Sequence, residues 1–361
     1  MKKIAILGNG QLAAMMHEVS AKLNLETTDF PLPEIKADGS CTESEISHWV
    51  EKLKNFDVVT YEIENIPVAL LKEVNKSVPV YPAISALETA QDRLAEKQAF
   101  TKLGIKTNQF MTVDSKSDLQ KTAHDFGFPF IIKTRRFGYD GKGQYVLKSK
   151  QDIELAWNEL GEHALLAESF VPFDYEVSQI AARSVVGDIV FYPLVRNEHR
   201  EGILRETHVL DFPEALTEQA QQSIQKVLTH FDYVGTLAIE FFVKDNVLYV
   251  NEMAPRVHNS GHWSIDGAKT SQFENHLRGV AGQKLGATTV TSNHVMMINL
   301  IGEDVTDDRL ESFNNVYLKS YGKSVRANRK MGHINIVSNS ETEFKNTVDK
   351  VYALIEAEAC L

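Results

Sequence analysis

The chain opens with a short apolar strand that leads through a glycine turn into an amphipathic helix. The strand is predicted over Lys3–Leu7, the turn is Gly8-Asn9-Gly10, and apolar residues recur at helical spacing within Gln11–Leu23. Further strands are predicted at Leu25–Phe30, Phe56–Tyr61 and Val78–Tyr81, and a helix at Ala86–Leu103. Alternating strands and helices are typical of a parallel sheet covered by helices, so the sequence predicts an α/β fold.

The glycine turn at the start of the first helix has three interpretations. Its N–H groups and the helix dipole can bind an anion. Asp29 lies roughly 20 residues further on, which is typical of a dinucleotide site, but Ala13 stands where such a site has a third glycine. A dinucleotide site, a site for another phosphate ligand and a purely structural turn therefore stay open.

Charge and cysteine content limit the partners and the compartment of the protein. The 361 residues include 38 Lys and Arg against 49 Asp and Glu, a net charge of −11. Such a field repels nucleic acid and anionic membranes, so an anionic substrate needs a local basic cluster. The two cysteines, Cys41 and Cys360, make a disulfide framework improbable and indicate a reducing cytoplasm. We expect neither a targeting segment nor a membrane span, because no apolar run approaches about 18 residues.

A glycine-rich loop lies between two predicted strands in the middle of the chain. The strands are Phe130–Lys133 and Gln144–Lys148, and the loop contains Gly138, Gly141 and Gly143. The glycines allow the backbone to fold closely over a ligand, and Lys133 and Lys142 supply cations for phosphates. The segment predicts a phosphate-binding hairpin flap, with a mobile hairpin tip as the alternative.

Two carboxylates occur on a second predicted hairpin. A three-residue turn over residues 244–246 would place Glu240 opposite Val250, with Glu252 diagonally beside it on the same face. Together with Asn251, the pair forms an oxygen-rich site that suits Mg²⁺. The alternative is an exposed strand face, and a one-residue change of register would separate the two carboxylates.

The segment that follows this hairpin is rich in groups that bind anions. Arg256 offers two parallel hydrogen bonds to a planar oxyanion, and His258 and Asn259 supply further contacts. His258 and His262 have the spacing of zinc ligands on a helix, but Gly261 disfavours a helix there and no third ligand is evident.

Two other polar segments are candidates for a substrate site. Glu62 and Glu64 follow the third strand, where they either bind ribose hydroxyls or lie in solvent. Four cations lie between Lys323 and Lys330, and in an acidic protein such a cluster indicates a phosphate monoester. A solvated basic loop is the alternative for the second segment.

Taken together, these segments resemble the ATP-grasp superfamily and, within it, the 5-(carboxyamino)imidazole ribonucleotide synthase family. The resemblance extends over nearly the whole chain, and the run ending at Trp263 is the most specific part. The matching segments are Gly10-Gln11-Leu12, Glu62-Ile63-Glu64-Asn65, Asp92-Arg93, Ile132-Lys133, Gly138–Gln144, Tyr192-Pro193-Leu194, Glu240, Asn251–Trp263 and Arg329–His333.

The resemblance implies an ATP-grasp fold in three parts and a ligase activity. The parts are a Rossmann-like pre-ATP-grasp domain (1–92), an α+β ATP-grasp core (93–289) with a flap at about 106–168, and a small C-terminal domain (290–361). The implied reaction joins bicarbonate to 5-aminoimidazole ribonucleotide with ATP, through carboxyphosphate, in purine biosynthesis. A homodimer is also implied. The alternatives are another ATP-grasp ligase such as a formate-dependent glycinamide ribotide transformylase, an NAD-dependent dehydrogenase, and a silent nucleotide-binding regulator; Asn259 argues against the transformylase.

The resemblance also implies a role for each matching residue. Glu240 and Glu252 would hold Mg²⁺, with Mn²⁺ as a substitute, and Asp140 would accept a proton from the substrate amine. ATP would contact Arg93, Lys133, Gly138, Tyr139, Asp140, Gly141, Lys142, Gly143, Gln144, Glu168, Ser169, Phe170, Val171, Glu176, His199, Asn251 and Glu252. The ribotide would contact Gln11, Leu12, Glu62, Tyr139, Asp140, Lys323 and Arg329, and bicarbonate would contact Arg256, His258, Asn259 and Lys323. The chain departs from the family pattern at Ala13 and in a shortened stretch over 32–47, which bears on the fit of the ribotide.

Overall fold

A computed structural model of the chain describes residues 1–32, 39–138, 141–302, 307–310 and 312–358. Three residues singled out from the sequence, Tyr139, Asp140 and Cys360, lie outside these ranges, as does part of the shortened stretch over 32–47. Within the described residues, no helix is both long enough and apolar enough to cross a membrane.

The N-terminal part is a small parallel sheet. It consists of β1 (Lys2–Leu7), α1 (Gln11–Ser20), β2 (Leu25–Phe30), α2 (Glu43–Leu53), β3 (Val58–Tyr61) and α3 (Val68–Val74), with strand order β2-β1-β3. All pairings are parallel, which confirms the predicted α/β alternation. The predicted strand Val78–Tyr81 is wrong, since Val80 forms only a single bridge to Val59. Pro79 and Pro82 have no N–H group to extend a ladder there.

The predicted helix Ala86–Leu103 is also wrong, because it is two helices. They are α4 (Ile84–Ala90) and α5 (Arg93–Lys102). Asp92 interrupts them with an extended backbone (φ −129°), and its side chain accepts hydrogen bonds from the N–H groups of Leu94 and Ala95. Asp92 therefore starts a new helix, whose first residue is Arg93.

The middle of the chain forms a four-stranded antiparallel sheet with two helices. Its elements are β4 (Phe110–Val113), α6 (Lys116–Phe126), β5 (Phe130–Thr134), β6 (Gln144–Leu147), α7 (Asp152–Leu160) and β7 (Leu165–Ser169), with strand order β4-β7-β5-β6. Leu119 and Ala156 of the helices share one core with Phe130 and Ile132 of β5. The β5–β6 pairing confirms the predicted glycine-loop hairpin.

A nine-stranded sheet forms the rest of the molecule. Its elements are β8 (Tyr175–Arg183), β9 (Ile189–Phe191), β10 (Val195–Arg200), β11 (Ile203–Val209), α8 (Glu214–His230), β12 (Gly235–Lys244), β13 (Val247–Ala254), α9 (Ser264–Gly267), α10 (Gln272–Ala281), β14 (His294–Ile301), α11 (Asp307–Leu310), β15 (Val316–Ser320), β16 (Lys330–Ser338) and α12 (Glu341–Glu358). The strand order is β13-β12-β8-β10-β11-β14-β16-β15, with β9 also paired to β8. The C-terminal strands thus extend the central sheet, and the three-domain boundaries stay a prediction.

The N-terminal sheet packs against the central part through helix α10. Ile4, Ile6 and Met16 share one buried core with Phe273 and Leu277 of that helix. Polar groups cross the same contact, since the Nε2 atom of His276 lies 2.8 Å from Thr60 Oγ1 and its Nδ1 accepts from the Thr236 N–H. This packing brings the ends of β3 and α1 toward the segment after β13.

Candidate active site

The carboxylates Glu240 and Glu252 face each other across β12 and β13. The predicted register of this hairpin is wrong, because the turn has two residues, Asp245 and Asn246, and Lys244 pairs with Val247. Both turn residues have positive φ, 50° and 59°, as in a tight primed turn. That register alone would place Asn251 opposite Glu240. A bulge at Asn251 shifts the ladder by one residue and pairs Glu240 with Glu252.

The two carboxylates have different electrostatic surroundings. Burial, reinforced by the charge of Glu252, raises the pKa of Glu240 to about 7. Burial also opposes ionisation of Glu252, but Arg93 and Lys133 outweigh it and lower the pKa of Glu252. The Arg93 guanidinium donates to Glu252 Oε2 at 3.0 Å. The pair is an oxygen-rich centre flanked by cations, as a site for a metal ion and phosphates requires.

A buried carboxylate connects the flap sheet to this centre. Glu168 lies at the end of β7 with its side chain 2% exposed, 3.1 Å from Lys133 Nζ and 3.2 Å from Lys97 Nζ. Burial alone would raise the pKa of Glu168, but the two lysines hold it well below its usual range. Glu168 is thus a fixed negative charge that holds Lys133 where its charge acts on Glu252.

The glycine loop of the flap approaches Arg93. A Cβ atom on Gly138 would lie 3.4 Å from Arg93 Nη2, and one on Gly143 would lie 2.6 Å from Thr134 Oγ1. Gly143 also has a positive φ of 71°, so the loop needs glycine there both for its backbone angle and for space. Gly138 therefore lies beside Arg93, whereas Gly141 lies against the turn between β10 and β11, where a Cβ atom would be 3.1 Å from the Glu201 carbonyl oxygen.

The segment from β7 to β8 contains further residues that the sequence assigns to the nucleotide. Glu168 is followed by Ser169, Phe170 and Val171, and the Phe170 ring is 43% exposed. Across the sheet, the Nδ1 atom of His199 lies 3.2 Å from Glu176 Oε2. Although burial opposes a charged imidazole, the Glu176 carboxylate raises the pKa of His199 to about 9. His199 is therefore a cation at neutral pH, paired with the Glu176 carboxylate.

The segment after β13 has polar groups without partners among the described residues. Both polar atoms of the Asn259 amide are buried without a hydrogen bond. His258 Nδ1 bonds to the Ser260 hydroxyl at 2.8 Å, and its Nε2 lies 3.7 Å from Glu240. Burial, with the nearby Arg256 charge, lowers the pKa of His258 well below its usual value, so the ring is neutral. Arg256 itself pairs with Glu64 Oε1 at 2.8 Å.

The two histidines of the possible zinc pair are not arranged as ligands of one ion. Residues 259–261 between them form a single 3₁₀ turn. The His262 ring packs on His333 with centroids 4.9 Å apart, while His258 faces Glu240. The two histidines therefore do not have the α-helical spacing that a zinc pair at i and i+4 requires.

The glycine turn at α1 is filled by a carboxylate of the chain itself. Glu62 Oε2 accepts from the Ala13 N–H at 2.8 Å, and Oε1 accepts from the Gly10 N–H. A Cβ atom on Gly10 would lie 2.7 Å from Glu62 Oε1. The structure therefore favours the structural turn, because Glu62 occupies the position that a bound phosphate would take.

The basic segment near the C-terminus folds back onto the start of α1. Lys323 Nζ donates to Gln11 Oε1 at 2.6 Å, and Leu12 is buried beneath the same turn. Arg329 donates to the carbonyl and hydroxyl of Ser324 at 3.1 and 3.0 Å. Burial and the nearby Arg329 charge lower the pKa of Lys323. The Lys323–Gln11 hydrogen bond joins residues 312 positions apart and places Lys323 and the nearby Arg329 charge beside the start of α1.

Family models match the chain in three consecutive parts. They describe a ribonucleotide synthetase preATP-grasp domain at residues 1–91, an ATP-grasp domain at 98–273 and a phosphoribosylaminoimidazole carboxylase C-terminal domain at 295–347. The N5-carboxyaminoimidazole ribonucleotide synthase of Vibrio cholerae is 38% identical, and the alignment covers 99% of this chain and 96% of that protein. The chain belongs to the N5-carboxyaminoimidazole ribonucleotide synthase family.

Other members of this synthase family agree in sequence and in fold. The Pseudomonas aeruginosa synthase is 40% identical, over 98% of this chain and all of that protein. The crystal structure of the synthetase from Thermus thermophilus superposes with a TM-score of 0.89 at 40% identity, covering 97% of this chain and 98% of that one. The Aspergillus clavatus synthase in complex with ADP and 5-aminoimidazole ribonucleotide superposes with a TM-score of 0.86 at 25% identity, with 99% coverage of both chains. These comparisons show the ATP-grasp fold of the family.

Several residues near the carboxylate pair were given no role from the sequence, or a different one. Lys97 is buried between Glu168 and β13, and Asp92 forms a two-point ion pair with Arg135. The sequence suggested ribose hydroxyls or solvent for Glu64, whereas this carboxylate pairs with Arg256. Lys97 follows Arg93 by four residues, a spacing that places both on one helix face and was the only available signal.

Proposed function

We propose that the protein carboxylates 5-aminoimidazole ribonucleotide with bicarbonate and ATP, giving N5-carboxyaminoimidazole ribonucleotide, ADP and phosphate in purine biosynthesis. One observation carries the proposal beyond family membership. His258 lies 3.7 Å from Glu240 and is close enough to Lys330 for that charge to lower its pKa. The segment after β13 is therefore near both the carboxylate pair and Lys330 of the basic cluster, which supports a bicarbonate position within reach of both ATP and the ribotide.

In this proposal the nucleotide occupies the cleft between the flap sheet and the central sheet. Arg93 and Lys133 bind its phosphates, and the glycine loop closes over them to exclude water. Glu168 through Val171 contact the adenine, Glu176 takes the ribose hydroxyls, and the further contacts are those of the sequence-based assignment. These further nucleotide contacts are Gly138, Tyr139, Asp140, Gly141, Lys142, Gly143, Gln144, His199, Asn251 and Glu252.

We further propose that Glu240 and Glu252 hold Mg²⁺ or Mn²⁺. The donor set fits such an ion, because the two carboxylates are paired directly and Asn251 Oδ1 is buried without a partner among the described residues. When bound, the ion neutralises negative charge on the phosphate groups. In this proposal Arg93 donates hydrogen bonds both to Glu252 and to the phosphates of the nucleotide.

The proposed chemistry has two steps. A bicarbonate oxygen bonds to the γ-phosphorus of ATP while the bond to the β–γ bridging oxygen breaks, which gives carboxyphosphate and ADP. The ribotide amine then bonds to the carboxyl carbon, phosphate leaves, and the amine loses a proton, for which Asp140 is the proposed acceptor. Arg256, His258, Asn259 and Lys323 hold bicarbonate and stabilise the negative charge that develops on it.

The ribotide is proposed to bind between α1 and the basic segment. Lys323 and Arg329 bind its phosphate, and Gln11, Leu12, Glu62, Tyr139 and Asp140 complete the pocket. The existing Lys323–Gln11 hydrogen bond supports this placement, because it brings the two walls together. We also propose that the protein works in the cytoplasm, forms a homodimer and divides into domains at about residues 92 and 289.

Transfer of labelled carbon tests the proposal. The protein is incubated with Mg²⁺, ATP, aminoimidazole ribonucleotide and ¹³C-bicarbonate, and the ribotide is examined by ¹³C NMR. We expect a carbamate carbon on the ribotide that requires ATP. Formylation of glycinamide ribotide from ¹³C-formate would instead identify the transformylase alternative.

A further inference from the structure

Helix α5 contacts the outer edge of β13 at every residue of the bulged segment. Arg93 bonds to the Glu252 side chain, and Glu96 Oε1 accepts from the Met253 N–H at 2.7 Å. Lys97 Nζ donates to the carbonyls of Val250 at 3.2 Å and Asn251 at 2.9 Å. Three side chains on one face of the helix thus contact all four residues from 250 to 253.

Lys97 can bond to two consecutive carbonyl groups only because the strand is bulged at this point. Consecutive carbonyl groups of a regular strand point to opposite edges, so one donor cannot reach both. The Val250 N–H donates outward to the Lys106 carbonyl, which shows that Val250 faces the outer edge as a regular strand residue would. The Asn251 carbonyl faces the same edge only because the bulge turns it there.

A carbonyl turned out of the ladder needs a donor in this setting. Lys97 is 1% exposed, so water does not replace it there. Its ammonium has three protons. Asn108 Oδ1 lies 3.1 Å from it, and Glu168 Oε2 lies 3.2 Å from it and balances its charge.

We infer that Lys97 is a positioning residue that holds the Asn251 bulge and thereby keeps Glu240 opposite Glu252. Without the bulge, the two-residue turn would place Asn251 opposite Glu240 and turn Glu252 to the other face. This inference rests on the proposed function in one respect, namely that the carboxylate pair binds the metal ion. Lys97 itself touches neither substrate nor ion.

The test combines metal binding with a direct measurement on the strand. Lys97→Met keeps the length of the side chain and removes the donors. Mn²⁺ binding is measured by the EPR signal of free Mn²⁺ in the presence of ADP, and amide exchange is measured by mass spectrometry on residues 246–254. We expect at least tenfold weaker Mn²⁺ binding, with faster exchange in 246–254 and unchanged exchange in 294–301.

Thr101→Ala is the matched control on the same helix. It removes a 2.9 Å hydrogen bond from the exposed Thr101 hydroxyl to the Lys97 carbonyl and leaves β13 untouched. We expect it to bind Mn²⁺ as the wild type does. Wild-type Mn²⁺ affinity and exchange rates in Lys97→Met would overturn the inference while leaving the proposed reaction unaffected. If the wild type itself bound no Mn²⁺, the metal proposal would fail, and the exchange data would decide the role of Lys97 alone.

Deletion of Asn251 keeps the inference testable if Lys97→Met does not fold. The deletion removes the turned carbonyl, and the regular ladder then pairs Glu240 with the next residue, which is Glu252. The double variant should therefore fold and bind Mn²⁺ within about threefold of the deletion variant alone, because no bulge carbonyl remains to be paired. Failure of the double variant to fold or to bind Mn²⁺, where the single deletion does both, contradicts the inference.

Discussion

Glu240 and Glu252 are paired directly across β12 and β13, although the hairpin turn between them sets a register in which they would face opposite sides of the sheet. One extra residue in β13, Asn251, forms a bulge that shifts the register by one and brings Glu252 opposite Glu240. The carboxylate pair therefore depends on a local irregularity of the backbone and on the helix α5 side chains that contact it.

Replacing one carboxylate of the pair should abolish turnover without unfolding the protein. We expect Glu252→Gln to lower kcat by roughly 100-fold or more, since it removes an anionic ligand and the partner of Arg93. Circular dichroism and the urea midpoint should stay close to wild type. Asp245→Asn, at the exposed turn of the same hairpin, should keep full activity. Substantial turnover by Glu252→Gln would refute the metal assignment.

The basic segment should act on ribotide binding and not on the chemical steps. Arg329→Ala removes a proposed contact to a non-reacting phosphate, so we expect the KM for the ribotide to rise roughly tenfold with kcat little changed. Steady-state kinetics with ATP and bicarbonate saturating would measure this. Arg326→Ala, in the same loop, is the control with unchanged kinetics. An unchanged ribotide KM in Arg329→Ala would show that the phosphate lies elsewhere.

The glycine turn should not accept a methyl group at Gly10. A Cβ atom there would lie 2.7 Å from Glu62 Oε1 and displace the carboxylate that holds the turn. We expect Gly10→Ala to lower the free energy of unfolding by about 1–3 kcal/mol and to raise the ribotide KM, because Gln11 moves with the turn. Ala13→Gly keeps the N–H bonded to Glu62, so its ribotide KM should match wild type. Equal stability of Gly10→Ala and wild type would mean that Glu62 does not fill the turn in solution.

Acid should weaken the contact between the N-terminal sheet and helix α10 through His276. Burial lowers the pKa of His276 from 6.5 to about 4 in the folded protein. The unfolded chain then binds the proton more tightly than the folded protein does. The contribution of neutral His276 to the free energy of unfolding is therefore complete above about pH 6.5 and is lost as the pH falls toward 4. Full loss corresponds to about 3 kcal/mol.

Urea unfolding at pH 7, 5.5 and 4.5 measures this dependence. Gln at position 276 keeps a donor and an acceptor for Thr60 and Thr236 but does not titrate in this range. We expect His276→Gln to show a shallower decline of the unfolding free energy below pH 6.5, by up to one proton or about 1.4 kcal/mol per pH unit. Parallel curves for the two proteins would exclude His276 as a titrating group.

Apolar spacing and turn motifs predicted much of the fold, and the family motifs named the residues of the candidate site. The parallel strands of the N-terminal sheet and the glycine-loop hairpin follow from apolar spacing and turn residues, and the structure confirms both. The helix break at Asp92 was not predicted, because a good N-cap residue within a continuous helical pattern does not by itself interrupt it.

Contacts between segments that are distant in the sequence could not be predicted from local patterns. Glu62 in the glycine turn, Glu64 at Arg256 and Lys97 at the bulge each depend on how separate elements pack. The predicted hairpin register was wrong for a related reason. A single residue decides between a two-residue and a three-residue turn, and no local sequence pattern indicates the bulge at Asn251.

The most direct test of the proposed reaction is ADP release coupled to NADH oxidation, measured with Mg²⁺, ATP and bicarbonate, with and without aminoimidazole ribonucleotide. We expect strong turnover that depends on the ribotide and disappears when bicarbonate is removed. ADP release that ignores the ribotide, or that formate supports in place of bicarbonate, would contradict the proposed reaction.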